Sequence, residues 1–542
     1  MRERLVDDWL TRVHERGLEV PFCHLLSAEG QTVLHLSRHG EAEQGRDILA
    51  LAPDGCACSY QLKAPGGRRL TLRTWARGLD QIERLVTLPP KHPGIPPRAP
   101  HRPFLIVNGE LDEAVKQEIL DRNADWASRG YPQLGVIVRG ELRQRFLNIG
   151  SDLWPDELEQ NRTMLELYLA DGRGFLPKAR LAAMLESMLL RGPAPPKAQL
   201  SRRIAAAGIA TSYALAAFAS EDNWAAQVEG WAVYLACVTA LAAKVDLRDR
   251  WWRASCEIAE AAVGGLLGGL LAELHGRADL LEGDVRFEGG FYAIRMTILV
   301  GLCALTALWP PDAPPSPAGA GAKEAGWAAG FLRQHTDEPE FWGEAAAPYL
   351  LAAYWALRHG QAPEPAEDIL LLMVRILTDQ SLKRLIPGLP GPYASPETVV
   401  EERLGLARPG ADPLVTDRLY EQSHCLESVV HLLARRGLRD ELGTLWPQVT
   451  RMTYCRMVPD AQWRWFTWRM AHATHHACHP CDPPQQQSWA ALRAAAAAAD
   501  YGWVPGPLRQ RPHLVLLFLL AYPHRICPDL VKLIDDAYSD PT

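Results

Sequence analysis

Asp47, Gln61 and Lys63 are the residues of this 542-residue chain whose types and spacing could do chemistry together. They sit in Gly45-Arg46-Asp47-Ile48 and in Tyr60-Gln61-Leu62-Lys63, with Pro53-Asp54-Gly55 between them. Ile48–Ala52 and Cys58–Ala64 read as strands, and Pro-Asp-Gly is turn chemistry, so the segment predicts a β-hairpin. In such a hairpin Asp47, at the start of one strand, lies across from the end of the other. There Gln61 and Lys63 share a face, because side chains alternate with period two, while Leu62 turns to the core. A carboxylate, an amide oxygen and the Leu62 backbone carbonyl are hard oxygen donors, suited to Mg²⁺ or Mn²⁺ rather than to zinc. Beside a bound cation, the Lys63 ammonium would orient an attacking water and offset charge building on a phosphorane. The plainer alternative is a hairpin in which Asp47 caps a turn and Lys63 is a solvated edge charge.

The elements that must position these residues occupy about the first 150. Val6, Trp9, Leu10 and Val13 fall at helical spacing, which predicts a helix over residues 2–16 ended by Gly17. Strands follow at Thr32–Ser37, in the hairpin, at Phe104–Val107 before Asn108-Gly109, and at Leu134–Val138; helices are expected around Leu79–Leu88 and over Glu113–Ala127. This order predicts a mixed sheet flanked by helices. Charge is also uneven. Residues 1–150 hold 21 Lys+Arg against 19 Asp+Glu, while the whole chain carries −7. Directly after Lys63 come Arg68, Arg69, Arg73, Arg77, Arg84, Lys91, Arg98 and Arg102 against Asp80 and Glu83, so phosphate contact is expected there, with Arg68, Arg69, Arg73 and Arg77 nearest in sequence.

The arrangement G-x-D-I-x(12)-Q-x-K resembles the PD-(D/E)xK restriction-endonuclease-like superfamily, in particular its Mrr-like branch, where Gln replaces the second acid. The resemblance covers residues 1–152. It implies an α/β fold with an N-terminal helix before the active-site hairpin, and a metal-dependent endonuclease acting on DNA, with RNA as the alternative. It implies Asp47 as the principal metal ligand, Gln61 as the second-position ligand and Lys63 as the catalytic lysine. Replacing Glu by Gln removes one negative charge, so a further carboxylate is expected: Asp7 or Asp8 from the first helix, or Glu43 just before the motif. An architecture of this kind resembles bacterial restriction or antiphage-defence effectors.

Beyond about residue 155, Ala/Leu-rich helical segments succeed one another, among them Ile204–Ala219, Trp224–Lys244, Arg253–Leu274 and Tyr292–Leu308. They predict a large all-α domain, a bundle or an irregular solenoid, in two parts (153–309 and 323–542) joined by a Pro/Gly/Ala linker at 310–322. Its expected role is sensing, partner binding or self-association. A non-catalytic helical scaffold whose N-terminal fold only binds nucleic acid is the competing reading. The apolar stretch 291–309 carries Arg295, and a buried core helix is expected rather than a membrane span. The start Met-Arg-Glu-Arg has no apolar signal region, and 11 irregularly spaced cysteines fit reduced thiols, so a cytoplasmic protein is expected. Cys478 and Cys481 beside His472, His475, His476 and His479 could hold a structural Zn²⁺, although a helix end running into a Pro-rich loop is the favoured reading. Trp463, Trp465 and Trp468 are expected to pack in the core rather than to stack on bases.

Overall fold

The computed structural model describes residues 2–36, 46–150, 158–192, 196–248, 252–277, 285–310, 321–335, 338–360, 362–379, 389–406, 418–419, 421–468, 476–480 and 488–538. Two compact units emerge: residues 1–266 with 311–320, and residues 267–310 with 321–542.

The first unit opens with helices α1 (Arg2–Arg12) and α2 (Glu15–Ala28), followed by strands β1 (Thr32–Leu36), β2 (Ile48–Leu51) and β3 (Ala57–Lys63). Then come α3 (Leu72–Thr87), β4 (His101–Val107), α4 (Glu113–Ser128), β5 (Gly135–Ile137) and α5 (Arg139–Gly150). The single helix expected to end at Gly17 is two helices. The chain breaks at Val13-His14, where His14 is extended, and Gly17 lies inside α2, where a Cβ would sit 3.0 Å from Val13 Cγ2.

The five strands are ordered β1-β2-β3-β4-β5. β2 and β3 are antiparallel with Ile48 opposite Tyr60 and Leu51 opposite Ala57, and the expected hairpin is present. β3 runs parallel to β4, from Ala57 opposite His101 to Lys63 opposite Val107, and β4 runs parallel to β5. This mixed sheet has two covered faces. On one, Tyr60 stacks on Phe104 at 5.2 Å and meets Phe22 of α2 edge-on at 5.3 Å. On the other, Leu105 and Val107 pack with Trp75 and Leu85 of α3 and Val115 of α4. Both faces bury apolar side chains, which is why the run Phe104–Val107 of β4 is continuously apolar rather than alternating.

Helices α6 (Leu158–Tyr168), α7 (Lys178–Leu190), α8 (Lys197–Ala214), α9 (Ala216–Ser220) and α10 (Trp224–Lys244) continue the same unit. The α/β part meets these helices chiefly through α2, whose far side packs on α8, where a Cβ at Gly208 would lie 2.5 Å from the His24 ring, and also through Trp9 of α1 against Tyr213 at 4.8 Å. His24 also stacks on Trp231 of α10 at 5.8 Å.

α11 (Arg253–Gly276) follows in the chain. In the second unit, α12 (Val285–Ala307) packs against α13 (Gly321–Gln334) and α14 (Ala347–His359), and α14 packs against α15 (Pro363–Thr378), with α14 buried over almost its whole length. The expectation of an all-α remainder needs correction, because the stretch Thr453–Met457 pairs antiparallel with His476–Pro480 and parallel with Gln422–Ser423. Thr453-Tyr454-Cys455 has the β-branched and aromatic composition of a strand, a short signal overshadowed by the Ala/Leu-rich helices around it. The segment expected to end a helix at Cys478 is thus a strand, and Cys481 lies outside the described residues. Two described helices, Trp224–Lys244 and Arg253–Gly276, are long and apolar enough to cross a membrane by length and composition, yet 89% and 67% of their apolar windows are buried. Burial of that extent is what core helices require.

Candidate functional site

The end of the β2–β3 hairpin is where polar side chains enter the sheet. Asp47 precedes β2, and its backbone N–H donates to Tyr60 O at 2.9 Å. The β2 ladder stops at Ile48, so the Leu62 N–H has no strand partner across from it. It donates instead to Asp47 Oδ2 at 2.6 Å, and Gln61 Nε2 donates to the same oxygen at 2.7 Å. Two amide donors on one oxygen hold the carboxylate in a fixed orientation. Asp47 is 7% exposed and Gln61 2%. Gln61 Oε1 is buried and has no hydrogen-bond partner among the described residues. Because the N–H and C=O of a residue in an extended strand leave on the same side, the Leu62 carbonyl faces the Asp47 edge as its N–H does.

Lys63 ends β3 on the face it shares with Gln61. Its Nζ lies 3.0 Å from Glu15 Oε1, an ion pair in which the lysine side chain is 21% exposed. Glu15 is in the first turn of α2, where the helix dipole favours an acid. From the other side α3 covers the lysine: a Cβ on Gly78 would lie 3.8 Å from Lys63 Cε. Neither Glu15 nor Gly78 was singled out by sequence. Taking residues 2–16 as one helix hid Glu15 at its end, and only the break at Val13-His14 reveals it as the start of another.

The carboxylates expected to complete the site are engaged elsewhere or not described. Asp7 accepts from Arg139 and pairs with Arg143 at 3.2 Å, and Asp8 pairs with Arg12 at 3.1 Å and accepts from the Tyr168 hydroxyl at 2.6 Å. Glu43 lies outside the described residues, as does Gly45 of the motif. The structure thus brings together Asp47, Gln61 and the Leu62 backbone, and separately Lys63 with Glu15.

Of the basic residues, Arg68, Arg69, Arg73 and Arg77 are exposed. Arg73 and Arg77 are one turn apart on α3, directly before the Gly78 that meets Lys63. Arg84 and Arg102 are committed to Asp80 and Asp54. The turn carrying Arg68 packs tightly on Asn108-Gly109, since a Cβ on Gly109 would lie 1.8 Å from Arg68 O. No residue but glycine fits there. Arg46, next to Asp47, is buried and donates to Leu88 O; burial lowers its pKa. His101, which shares a hydrogen bond with Ser59, is pushed down to about 4 by burial and then by the nearby Arg46, so it is neutral at pH 7.

Among the described residues, no three His, Cys, Asp or Glu side chains converge as a metal cluster. The donors at the hairpin are one carboxylate, the orphaned Gln61 Oε1 and a backbone carbonyl. That set fits a hard divalent cation that keeps several of its waters, and does not fit zinc. Among the described residues nine cysteines are buried and form no disulfide, among them Cys56 just before β3 and Cys58 within it, where burial raises the thiol pKa. Trp465 stacks on Trp503 at 4.7 Å, and Trp468 packs against Tyr393, Tyr522 and His524, contacts within the protein as expected. Compared with protein-family models, curated proteins and solved structures, the chain finds no match.

Proposed function

We propose that the first unit is a divalent-metal-dependent phosphodiesterase acting on DNA, with its site at the open end of the β2–β3 hairpin. The observation that carries the reading is a buried Asp47 fixed by the Gln61 and Leu62 amides, with the orphaned Gln61 Oε1 on the strand that ends in Lys63. Asp47, Gln61 and the Leu62 carbonyl would hold Mg²⁺ or Mn²⁺. When bound, the cation supplies Lewis-acid stabilisation and lowers the pKa of a coordinated water.

The protein's own groups do the rest. Gln61 and Leu62 keep the Asp47 carboxylate from turning. Glu15 holds the Lys63 ammonium in place until a phosphate enters. Lys63 then donates to a non-bridging phosphate oxygen, where charge rises in the transition state. Arg73 and Arg77 attract the flanking phosphates without reading sequence. The helices α6 to α10, joined to the catalytic part chiefly through α2, would carry recognition or self-association, and restriction or antiphage defence is the setting this architecture suggests.

Purified full-length chain should cut DNA with Mg²⁺ or Mn²⁺ and lose cutting on chelation. Asp47→Ala should abolish cleavage while leaving DNA binding within about twofold. Cleavage retained in both Asp47→Ala and Lys63→Ala would overturn the site. Binding without cleavage by the wild type under any metal would instead favour a nucleic-acid-binding scaffold.

A further inference from the structure

Asn108 is fully buried and stands at the junction of three elements. It follows β4, and its backbone N–H donates to Lys63 O at 3.3 Å, extending the β3–β4 ladder by one bond. Its side-chain Nδ2 donates to Leu10 O and to Val13 O, each at 3.0 Å. Leu10 O belongs to the last turn of α1, whose final carbonyls have no partner further along the helix, and Val13 O belongs to the break that follows it. The amide therefore caps α1 from the side. Having spent those carbonyls, the chain turns extended at His14 and starts α2 at Glu15. One residue thus ties the backbone of Lys63 to the helix break that places the Lys63 partner.

The choice of residue type supports this. An ionised aspartate in the same place could not donate, and an aliphatic side chain would leave both carbonyls without this donor. Gly109 fixes the residue from the other side: its carbonyl accepts from Arg139 N at 3.2 Å, and the Arg68 carbonyl packs against its Cα. The amide consequently has little freedom to relax.

We propose that Asn108 is a positioning residue that acts through Glu15, fixing the α1–α2 break so that the Glu15 carboxylate meets Lys63. The geometric part stands on the hydrogen bonds alone; its catalytic consequence rests on the phosphodiesterase reading. Two readouts keep these apart. The first is the rate at which an amine-acylating reagent labels Lys63 in the full-length chain, followed by peptide mass spectrometry. Glu15→Ala uncovers the lysine and should raise labelling several-fold. Asn108→Ala should raise it to the same extent, and the double variant should go no further. The second is DNA cleavage with Mn²⁺, in which the two single variants should lose activity by similar factors and the double variant no more than Glu15→Ala.

Asn108→Ser, which is smaller yet keeps a donor, serves if Asn108→Ala does not fold; it should give an intermediate labelling rate. Unchanged Lys63 labelling in the Asn108 variants, alongside raised labelling in Glu15→Ala, would overturn the proposal. Additive losses in the double variant would do the same, because they assign Asn108 to general stability. If the wild type cuts no DNA, the phosphodiesterase reading falls while the labelling still decides the role of Asn108.

Discussion

Two regions bury carboxylates, and they treat them differently. In the second unit, Asp535 is fully buried and met by two guanidinium groups, Arg435 Nε at 2.7 Å and Arg436, together with Trp355 Nε1 at 3.2 Å. Arg436 is itself braced by the Tyr354 hydroxyl at 2.7 Å. At the hairpin of the first unit, Asp47 Oδ2 is met by neutral amides, and the adjoining Gln61 Oε1 has no partner among the described residues. An ion cluster of the first kind answers its own charge and needs nothing further. The second leaves a buried acceptor without a donor among the described residues, which costs stability. On the phosphodiesterase reading, the contrast separates a carboxylate that holds a fold from one positioned to hold a cation.

The comparison breaks most visibly at Asp535. Asp535→Ala leaves the half-buried Arg436 without its anion, while Arg435 keeps Asp536, and should cost up to about 3–5 kcal/mol. Hydrogen exchange resolved by segment should show faster exchange in α14 and in the helix Pro528–Tyr538, with the sheet of the first unit unaffected. Asp47→Ala should lower stability far less. If Asp47→Ala unfolds the first unit while Asp535→Ala is silent, the two roles are reversed and the contrast is wrong.

Next in size is Lys63. On the phosphodiesterase reading, Lys63→Ala removes the donor to the developing charge and should lower kcat by roughly 10²–10³-fold with KM little changed. Lys63→Arg should restore only part, because a planar fork does not occupy the place of a point charge. A Lys63→Ala effect confined to KM would move the lysine from the reaction to ground-state binding.

How far the sequence could be read follows the same division. The hairpin was legible because its signals are local: a turn tripeptide between two β-rich runs, with the register fixed by period two. Leu62 at the core and Gln61 beside Asp47 followed from that period. Glu15 and Asn108 were not legible, because the contact between Asn108 and Leu10 spans nearly a hundred residues and no local pattern encodes it. Gly17 misled for a related reason. A glycine after an amphipathic run reads as a helix stop, whereas here it makes room for Val13 inside the following helix. The strand Thr453–Met457 was overlooked because five residues in a helical context carry too little pattern.

Glu344 sharpens the contrast from within the second unit. It accepts from Ser423 Oγ, from the His424 N–H at 2.9 Å and from Cys425 Sγ, with no guanidinium among these donors. Burial outweighs these hydrogen bonds and pushes its pKa up from the ordinary 4.5 to about 7. A folded-state value above the unfolded one means folding favours the protonated carboxyl. Its contribution to stability is full below about pH 4.5 and is lost as pH rises through about 7. Exchange protection of α14 should therefore fall between pH 5 and pH 8 by the equivalent of about 1–3 kcal/mol. Glu344→Gln should flatten that slope; a slope that persists in the variant would assign it to another group.

The smallest effects belong to the exposed arginines, where the contrast is between placing charge and placing geometry. Arg73 and Arg77 stand one turn apart on α3, beside the Gly78 that covers Lys63. Each can neutralise one phosphate, so Arg73→Ala or Arg77→Ala should weaken DNA binding about two- to fivefold, alike for unrelated sequences, and lower the slope of log K against log salt by about 0.9. Fluorescence anisotropy over a salt series measures both quantities. Arg84→Ala is the internal control, because its charge already pairs with Asp80 at 3.3 Å and its loss should leave the slope unchanged. An Arg73 variant that changes which sequences are bound, rather than how tightly all are bound, would give α3 a reading function instead of an attracting one.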